Sequence, residues 1–390
     1  MTVAQGTLVF SNASSTAIND TNAVTINSGG TLSLGTSETV GSVAGAGNIN
    51  LNANQLIAGQ NNTSTTFSGV MSSSSTNASF VKKGTGTLTL SGANTMSGQS
   101  YLTAVTNTFS VGETSGTDTA TLALSNGITL ANPVAVRIGS SGVKTIQSLS
   151  TSGTNTISGA VTLSDDVTLD AASGGALNLS GVISGSKAVI KSGLGTVVLS
   201  GSGANTYNGT TTINGGVLLL QKTAGVNAIA GTPTINSGGT LQLGASDQFA
   251  GDTTFLTINS GGTFDLNNFN DSLALQGAGS ITLGSGTLTI NPTATDTFSG
   301  AISGTGSVIK TNAGTQILSG ANTYSGGTLV AQGTLRIGGG GTTGSVLGNI
   351  TNNGTVTFDR SDNITFSNVL SGSGSFQKWG AGTLTLSGSN

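Results

Sequence analysis

The chain has 390 residues, of which 63 are Gly, 3 are Pro and none is Cys or His, and a charged fraction of 6% leaves a formal net charge of −3. Because Lys and Arg are not clustered, the composition argues against a nucleic-acid partner or an anionic membrane surface, and the lack of Cys excludes disulfides and thiolate-bound metals. Abundant Ser, Thr, Asn, Val, Leu and Ile favour strands and tight turns, so an all-β protein is predicted.

Two short phrases recur along the chain. The first is TINSGGTLSLG from Thr25, and related copies begin at Thr212, Thr234, Thr257 and Gly286. The second is SFVKKGTGTLTLSGAN from Ser79, and its copies begin at Ala188, Ser307 and Ser375. Apolar and polar residues alternate in both, as in TLTL at 87–90, which predicts short strands with Leu inward and Thr outward.

The spacing of the copies predicts the architecture. Ile213, Ile235, Ile258 and Ile281 recur at intervals of about 22 to 23 residues. The lysines of the second phrase, at 82, 191, 310 and 378, are 109, 119 and 68 residues apart, which we interpret as 5, 5 and 3 turns of about 22 to 24 residues. A repeat this short is one turn of a solenoid, so we predict a single right-handed parallel β-helix over residues 1–390, with roughly 17 to 18 turns of about 22 residues.

The two ends of the chain predict that it is a piece of a longer array. The letters VAQGTL at 3–8 recur at 330–335, and the chain stops inside the fourth copy of the second phrase. The first residues lack the pattern of a signal peptide, and apolar runs are shorter than the roughly 18 residues of a membrane span. We therefore expect no membrane insertion by this segment, and fraying or end-to-end self-association where a terminal turn has no neighbour.

Residues 79–98, 188–220, 307–338 and 375–390 resemble the passenger-associated transport repeat of bacterial autotransporters. The resemblance implies a β-helical passenger segment of a type V secretion system, exported to the cell surface through the outer-membrane β-barrel translocator of its parent protein. Two departures are Met96, where the pattern has Tyr, and an extra Ser202-Gly203.

Catalytic residues are not predicted. The lack of His removes the usual general base and the Ser-His-Asp arrangement, and no Ser lies in GDSGG or GxSxG, which argues against a protease. A polysaccharide-acting enzyme would need paired carboxylates. The candidates are interpreted as solvated turn and edge residues, and they are Asp165, Asp166, Asp170, Asp247, Asp252, Asp265 and Asp271. The glycine run at 338–341 lacks the Asp of calcium-binding repeats, so no metal is predicted.

Three surface features have alternative interpretations. The four phrase lysines are predicted to be solvated turn residues, and their separation is too large for a ladder that binds an anionic glycan. Trp379, the only Trp, either stacks on a sugar or packs on the next turn. The Thr pairs 87/89, 287/289 and 383/385 are typical of ice-binding solenoids, but equivalent positions in other copies differ, so a Thr ladder is not expected.

The prediction for function is a rigid structural or adhesive passenger segment of a bacterial surface protein, without catalysis, that contacts surface glycans or host and matrix proteins. One alternative is a self-assembling surface filament or layer protein. A polysaccharide-acting enzyme on the same scaffold is the other. Catalytic, cofactor and metal residues are all predicted to be absent.

Overall fold

A computed structural model describes residues 1–12, 17–96, 108–250 and 254–390. These residues form parallel strands and turns without an α-helix, arranged as about 17 turns of a β-solenoid with about 22 residues per turn. The all-β parallel solenoid predicted from the sequence is therefore confirmed. The chain divides into two compact units, Met1–Gly209 and Thr210–Asn390, which are described separately. A single continuous helix over residues 1–390 stays a prediction.

The strands of the first unit are short, usually three to five residues, because a turn closes each side of the coil. They are β1 (Thr2–Val3), β2 (Gly6–Phe10), β3 (Ala23–Ile26), β4 (Gly30–Leu34), β5 (Glu38–Val40), β6 (Ser42–Gly45), β7 (Asn48–Asn50), β8 (Gln55–Ala58), β9 (Thr65–Phe67), β10 (Met71–Ser73), β11 (Ser79–Lys82), β12 (Thr87–Leu90), β13 (Thr95–Met96), β14 (Thr108–Val111), β15 (Ala120–Leu124), β16 (Thr129–Leu130), β17 (Val134–Val136), β18 (Lys144–Ser148), β19 (Thr154–Ile157), β20 (Val161–Leu163), β21 (Val167–Ala171), β22 (Ala176–Leu179), β23 (Ile183–Gly185), β24 (Val189–Ser192) and β25 (Thr196–Gly201).

Each coil of the first unit has three sides, and the strands stack on their copies in neighbouring coils. One sheet has the order β1-β3-β6-β9-β12-β15-β18-β21-β24, and a second has the order β5-β8-β11-β14-β17-β20-β23. The third side contains β2-β4-β7-β10-β13 and then β16-β19-β22-β25. Coil length varies, since Val167 pairs with Val189 whereas Thr87 pairs with the more distant Thr121.

The strands of the second unit follow the same plan. They are β26 (Thr211–Ile213), β27 (Gly216–Lys222), β28 (Pro233–Ile235), β29 (Gly239–Leu243), β30 (Phe255–Ile258), β31 (Thr263–Asp265), β32 (Asp271–Gly277), β33 (Ser280–Thr282), β34 (Thr287–Ile290), β35 (Thr295–Phe298), β36 (Ala301–Ser303), β37 (Ser307–Lys310), β38 (Thr315–Leu318), β39 (Thr328–Val330), β40 (Thr334–Ile337), β41 (Ile350–Asn352), β42 (Thr355–Asp359), β43 (Ile364–Phe366), β44 (Leu370–Ser371), β45 (Ser375–Trp379) and β46 (Leu384–Leu386).

The sheets of the second unit branch at β32. Strands β26, β28, β30 and β32 stack in that order, and β32 then pairs with both β34 and β35. One branch continues as β34-β37-β39-β41-β44 and the other as β35-β38-β40-β42-β45. The remaining sides are β27-β29-β31-β33-β36 and the pair β43-β46.

The core of both units is a column of inward side chains. Leu88 and Leu90 of β12 are buried, and Leu218 and Leu220 of β27 are equally buried on the same side of their strand. This is the period-2 pattern that the sequence predicts. Glycine is required where coils approach most closely, because a Cβ at Gly320 would lie 1.8 Å from the carbonyl oxygen of Gly300 one coil earlier.

The predicted isoleucine stack is confirmed for its first three members. Ile213 pairs with Ile235, and Ile235 pairs with Ile258. The fourth member was wrong, because Ile281 lies on β33 and pairs with Phe264, while Ile258 pairs with Gly277. The coil from Ile258 to Gly277 is shorter than the interval between the isoleucines, so Ile281 falls on another side.

The interpretation of the lysine separations as whole turns was also wrong. In the first unit, Lys82 lies on β11 of the second sheet, whereas Lys191 lies on β24 of the first sheet. In the second unit, Lys310 and Lys378 lie on the two separate branches, on β37 and β45. Because coil length varies, successive copies of the phrase begin at different corners of the coil.

Candidate functional site

The lysine of the repeated phrase points into the core. Lys82 is 2% exposed and Lys191 and Lys310 are 0% exposed, whereas Lys378 is partly exposed. The prediction of solvated turn lysines was therefore wrong for the first three. The reason is strand alternation, which places Lys82 on the same side as Phe80, two residues earlier.

The ammonium group makes the same contacts in every copy, with the carbonyl oxygens of the two residues that follow it. Lys191 Nζ donates to Ser192 at 2.5 Å and to Gly193 at 2.9 Å. The other three copies repeat this pattern, Lys82 with Lys83 and Gly84, Lys310 with Thr311 and Asn312, and Lys378 with Trp379 and Gly380. The lysine therefore closes the turn at the end of its strand by donating to two of the carbonyls of that turn.

Burial lowers the pKa of Lys82, Lys191 and Lys310 to about 8 each. The charges of Glu113 and Asp170 act in the opposite direction on Lys82 and Lys191, respectively. The desolvation cost of the ammonium is therefore only partly offset, and these groups titrate well below the range of an exposed lysine.

The asparagine of the phrase is a second repeated polar element, and sequence reasoning missed it. Asn205 Oδ1 accepts a hydrogen bond from the backbone N–H of Ile183, 22 residues earlier, at 2.8 Å. The same bond joins Asn94 to Met71, Asn322 to Ile302 and Asn390 to Leu370. Each copy therefore holds its neighbouring coil through an asparagine and its own turn through a lysine. The recurrence of Asn in LSGAN and LSGSN is the sequence signal that could have identified this contact residue.

The first acidic group is held by separate contacts. Asp165 accepts a hydrogen bond from Lys144 Nζ at 2.6 Å, and Asp166 accepts one from the backbone N–H of Ala188 at 2.8 Å. Burial alone would raise the pKa of Asp165, but the hydrogen bond and charge of Lys144 lower it below its usual value. The structure also adds Lys144, which sequence reasoning did not connect with this group, in a depression of about 210 Å³ beside both carboxylates. An ionised, paired Asp165 is unsuited to act as a general acid.

Asp170 lies apart from that depression. It occupies β21, pairs in register with Ser192 and lies beside Gly193. Asp170 therefore lies next to the turn that Lys191 closes.

The second acidic group is dispersed. Asp247 is exposed in a turn, Asp265 accepts a hydrogen bond from Gln242 at 2.8 Å on β31, and Asp252 lies outside the described residues. Asp271 begins β32, is 5% exposed and accepts hydrogen bonds from the backbone N–H groups of Gln248 and Ser272. Burial raises its pKa to about 7, against the effect of those two hydrogen bonds. The interpretation as a solvated turn residue was wrong for Asp271.

Trp379 belongs to an outward-facing cluster in the second unit. It is 49% exposed, pairs in register with Asp359, and has the guanidinium carbon of Arg336 at 5.1 Å from its ring centroid. Arg336 Nε donates to Asp359 Oδ2 at 2.8 Å, and Nη2 contacts the same oxygen. The tryptophan therefore contacts a side chain two coils earlier on the same face.

The other surface predictions concern metal and Thr ladders. Gly340 of the glycine run donates its N–H to the carbonyl of Asp359, and the described residues contain no group of three or more His, Cys, Asp or Glu that could hold a metal ion. The Thr pairs do not continue as pairs, because Thr89 pairs with Ala123 and Thr289 pairs with Ile309. The first Thr of one pair does continue, since Thr87 pairs with Thr121, Thr121 with Thr145 and Thr145 with Thr168, so a single column of Thr runs along the first unit. Within the described ranges, helices of the length and apolarity of a membrane span are lacking.

Comparison with known proteins matches the repeated phrase to a known repeat. The family model described as the passenger-associated-transport-repeat matches residues 80–107, 189–220, 308–337 and 376–390. The chain is also 31% identical over 200 residues to the adhesin BmaC autotransporter of Brucella suis biovar 1 (strain 1330), an alignment that covers 51% of the chain and 5% of that protein. The chain thus spans a small part of the length of this relative. No solved structure matches.

Each of the four matched segments contains one of the buried or half-buried lysines and the asparagine of the same copy. The chain therefore contains four passenger-associated transport repeats and is similar to an autotransporter adhesin, which supports the predicted autotransporter passenger and its export across the outer membrane to the cell surface.

Proposed function

We propose that the chain is a structural and adhesive segment of a surface passenger, which presents a contact face on a rigid stack of coils and catalyses no reaction. The observation that carries this proposal is that the repeated polar residues make their contacts within the fold. Lys191 and its equivalents bind turn carbonyls, and Asn205 and its equivalents bind a strand of the neighbouring coil. The residues that recur in every copy thus stabilise the fold, which leaves the outward face free to vary.

The surface chemistry supports the adhesive part. A chain with 6% charged residues presents mainly hydroxyl and amide groups, which favour hydrogen-bonded contact with glycans or protein surfaces over contact with polyanions. The similar Brucella protein is named an adhesin, which agrees with this proposal. The partners that we propose are surface glycans or host and matrix proteins, with an outer-membrane β-barrel translocator in the parent protein.

The proposal is tested with the purified 390-residue chain on arrays of glycans and matrix proteins and on whole cells, beside an unrelated β-helical protein of similar size. We expect saturable binding above that control on at least one target. Binding equal to the control on every target would overturn the adhesive function. Release of reducing ends from any polysaccharide in the panel would overturn the non-catalytic function and favour the enzyme alternative.

A further inference from the structure

The second sheet of the first unit has a groove on its outward face. The groove has a volume of about 320 Å³ and runs from β8 across β11, β14 and β17 to the turn after β20. This volume lies at the lower end of the range for small-molecule sites, so it suits a ligand of about one or two sugar rings. We call it the Arg137 groove and define it by six of its lining residues, Ser110, Thr114, Ala135, Arg137, Ile138 and Ser164.

The backbone holds Arg137 at the end of a strand of this sheet. Val134 and Val136 of β17 are buried and Ala135 lies on the outward side between them, so Arg137 follows at the next outward position. Its N–H donates to the carbonyl oxygen of Val111 in the preceding coil at 2.9 Å, which continues the parallel ladder one residue beyond the strand. The guanidinium therefore projects outward from a fixed point of the coil.

Arg137 lacks the ion pair that the other two arginines have. Arg336 is paired with Asp359, and Arg360 is paired with Asp362. By contrast, no described residue forms a hydrogen bond or an ion pair with the side chain of Arg137, which is partly exposed. Its charge and its planar set of N–H donors are therefore available to a ligand.

The acidic residue of the adjoining turn is engaged elsewhere. Glu113 Oε1 accepts a hydrogen bond from the backbone N–H of Gly84 at 3.0 Å, and the charge of Glu113 acts on the buried Lys82. None of the described residues that line the groove is Asp or Glu. The groove therefore has a local positive charge within a chain of net charge −3.

Hydroxyl groups lie on both sides of the arginine. Ser110 and Thr114 line the groove from the coil before Arg137, and Ser164 lines it from the coil after. These three hydroxyls have no hydrogen-bond partner among the described residues, and each can donate one hydrogen bond and accept others. Ile138, which is 63% exposed, adds an apolar surface. The groove thus combines one cation with neutral polar groups and one apolar contact.

These groups select a carboxylated, hydroxyl-rich ligand. A guanidinium donates two parallel hydrogen bonds to a carboxylate, which neutralises its charge and fixes the orientation of the ligand. Serine and threonine hydroxyls match the hydroxyls of a sugar ring, and an exposed isoleucine can pack on its C–H groups. A neutral sugar would leave the guanidinium without an anion, and a small carboxylate such as acetate would leave the hydroxyls without partners. The match is therefore to a saccharide that carries a carboxylate.

We propose that the Arg137 groove binds such an acidic saccharide, with the carboxylate on the guanidinium of Arg137 and the sugar hydroxyls on Ser110, Thr114 and Ser164. The proposal rests on the adhesive function proposed above and names a ligand class for one of its contacts. A single guanidinium binds one carboxylate, so this site is compatible with a surface that is unsuited to polyanions.

Calorimetric titration of the 390-residue chain at neutral pH and low salt tests the site. The probes are glucuronic, galacturonic and sialic acid, with glucose, galactose and acetate as matched controls. We expect saturable binding of at least one acidic sugar with a dissociation constant on the order of 1 mM, and binding of each control weaker by about tenfold or more. Salt at about 0.5 M should weaken the binding, because it screens the charge of the guanidinium.

Four variants separate this site from general electrostatics. Arg137→Gln should abolish the binding, and Arg137→Lys should weaken it about tenfold because an ammonium lacks the planar pair of N–H groups. Ala135→Val fills the groove with a side chain that suits a strand, and it should also abolish the binding. Lys187→Gln removes a positive charge from a partly exposed side chain of the same unit outside the groove, and it should leave the binding unchanged. Urea midpoints and circular dichroism establish that each variant is folded.

Three results would overturn the proposal. The first is the absence of saturable binding of every acidic sugar up to about 50 mM, which corresponds to a binding free energy too small for a site. The second is binding of acetate, or of a peptide of Glu residues, as tight as that of the acidic sugars. The third is an equal loss of binding in Arg137→Gln and Lys187→Gln. If the chain binds a target on the arrays but no acidic sugar, this site is excluded while the adhesive function stands.

Discussion

Lys310 Nζ donates to the carbonyl oxygen of Gln332 at 3.3 Å, 22 residues along the chain, as well as to the carbonyl oxygen of Thr311 in its own turn at 2.5 Å. One buried ammonium therefore joins a turn to the next coil. The two contacts within the turn, which all four copies share, explain why a chain with few charges keeps a lysine at the same point of every copy of its repeat. The ammonium lies inside the coil, where backbone carbonyls need a hydrogen-bond donor.

The adjacent lysines 82 and 83 provide a matched test of this role. Lys82→Met removes the donor from the carbonyls of Lys83 and Gly84 and should lower the free energy of unfolding by about 2 kcal/mol, because two carbonyls lose a charged partner. Lys83→Met changes a partly exposed side chain and should alter it by less than about 0.5 kcal/mol. Urea denaturation followed by circular dichroism measures the free energy of unfolding of both variants. Equal effects of the two substitutions would contradict a stabilising role of the lysine–carbonyl contacts.

The asparagine contact between coils has its own test in the second unit. Asn322→Ala leaves the backbone N–H of Ile302 unpaired in the core and should cost about 2 kcal/mol, with faster hydrogen exchange of that amide. The control is Asn236→Ala, in an exposed chain of amide hydrogen bonds from Asn259 to Asn214, which should cost less than about 1 kcal/mol. Unchanged protection of Ile302 in the Asn322 variant would show that this bond is not needed.

The buried lysines predict an increase of stability at alkaline pH. Their pKa is lowered in the folded chain, to about 8 for Lys82, Lys191 and Lys310, while the unfolded chain has the ordinary value of 10.5. Between these values the unfolded chain binds more protons, so the free energy of unfolding should rise as the pH rises from about 8 towards 10.5. Urea midpoints measured across this range check the slope, and Lys310→Met should reduce it. A flat profile would mean that the carbonyl contacts hold the lysine pKa near its ordinary value.

The buried Asp271 should give the opposite trend at lower pH, where stability falls as the pH rises. Its pKa is raised from 3.8 to about 7 in the folded chain, so the folded state binds more protons between these values. Its contribution to stability is present below about pH 4 and is lost as the pH rises to about 7. Urea midpoints between about pH 4 and 7 should fall more steeply in the wild type than in Asp271→Asn.

Asp247 provides the control for this window, because its charge contributes to the raised pKa of Asp271. Asp247→Asn should move the loss of stability to lower pH without removing it. Identical midpoints of the wild type and Asp271→Asn at every pH would show that Asp271 does not titrate in this range.

The sequence was sufficient for the fold class because the core follows a period of two. Leu88 and Leu90 are buried as the alternation predicts, and Ile213 stacks on Ile235 as their spacing predicts. The same alternation, applied to Lys82 and Phe80, would have placed the lysine inside. That inference was missed because a charged residue was assumed to face water, which is wrong where backbone carbonyls converge on it.

Contacts between side chains distant in sequence were beyond sequence reasoning. Asp359 lies one coil before Trp379 and Arg336 lies two coils before it, so their meeting depends on the lengths of two particular coils. Coil length in this chain varies with each turn and insertion, as the long coil between Thr87 and Thr121 shows. The burial of Asp271 likewise depends on the branching of sheets at β32, which leaves no periodic signal.

The most direct test of the account compares stability and binding in the same set of variants. If the repeated polar residues hold the coils and the outward face makes contacts, Lys82→Met should lower the urea midpoint while a fully folded sample keeps its binding to the target found on the arrays. Lys83→Met, at the adjacent and partly exposed position, should keep the urea midpoint. Loss of binding in folded Lys82→Met, or an equal fall of the urea midpoint in Lys83→Met, would contradict the division of roles between the inside and the outside of the coil.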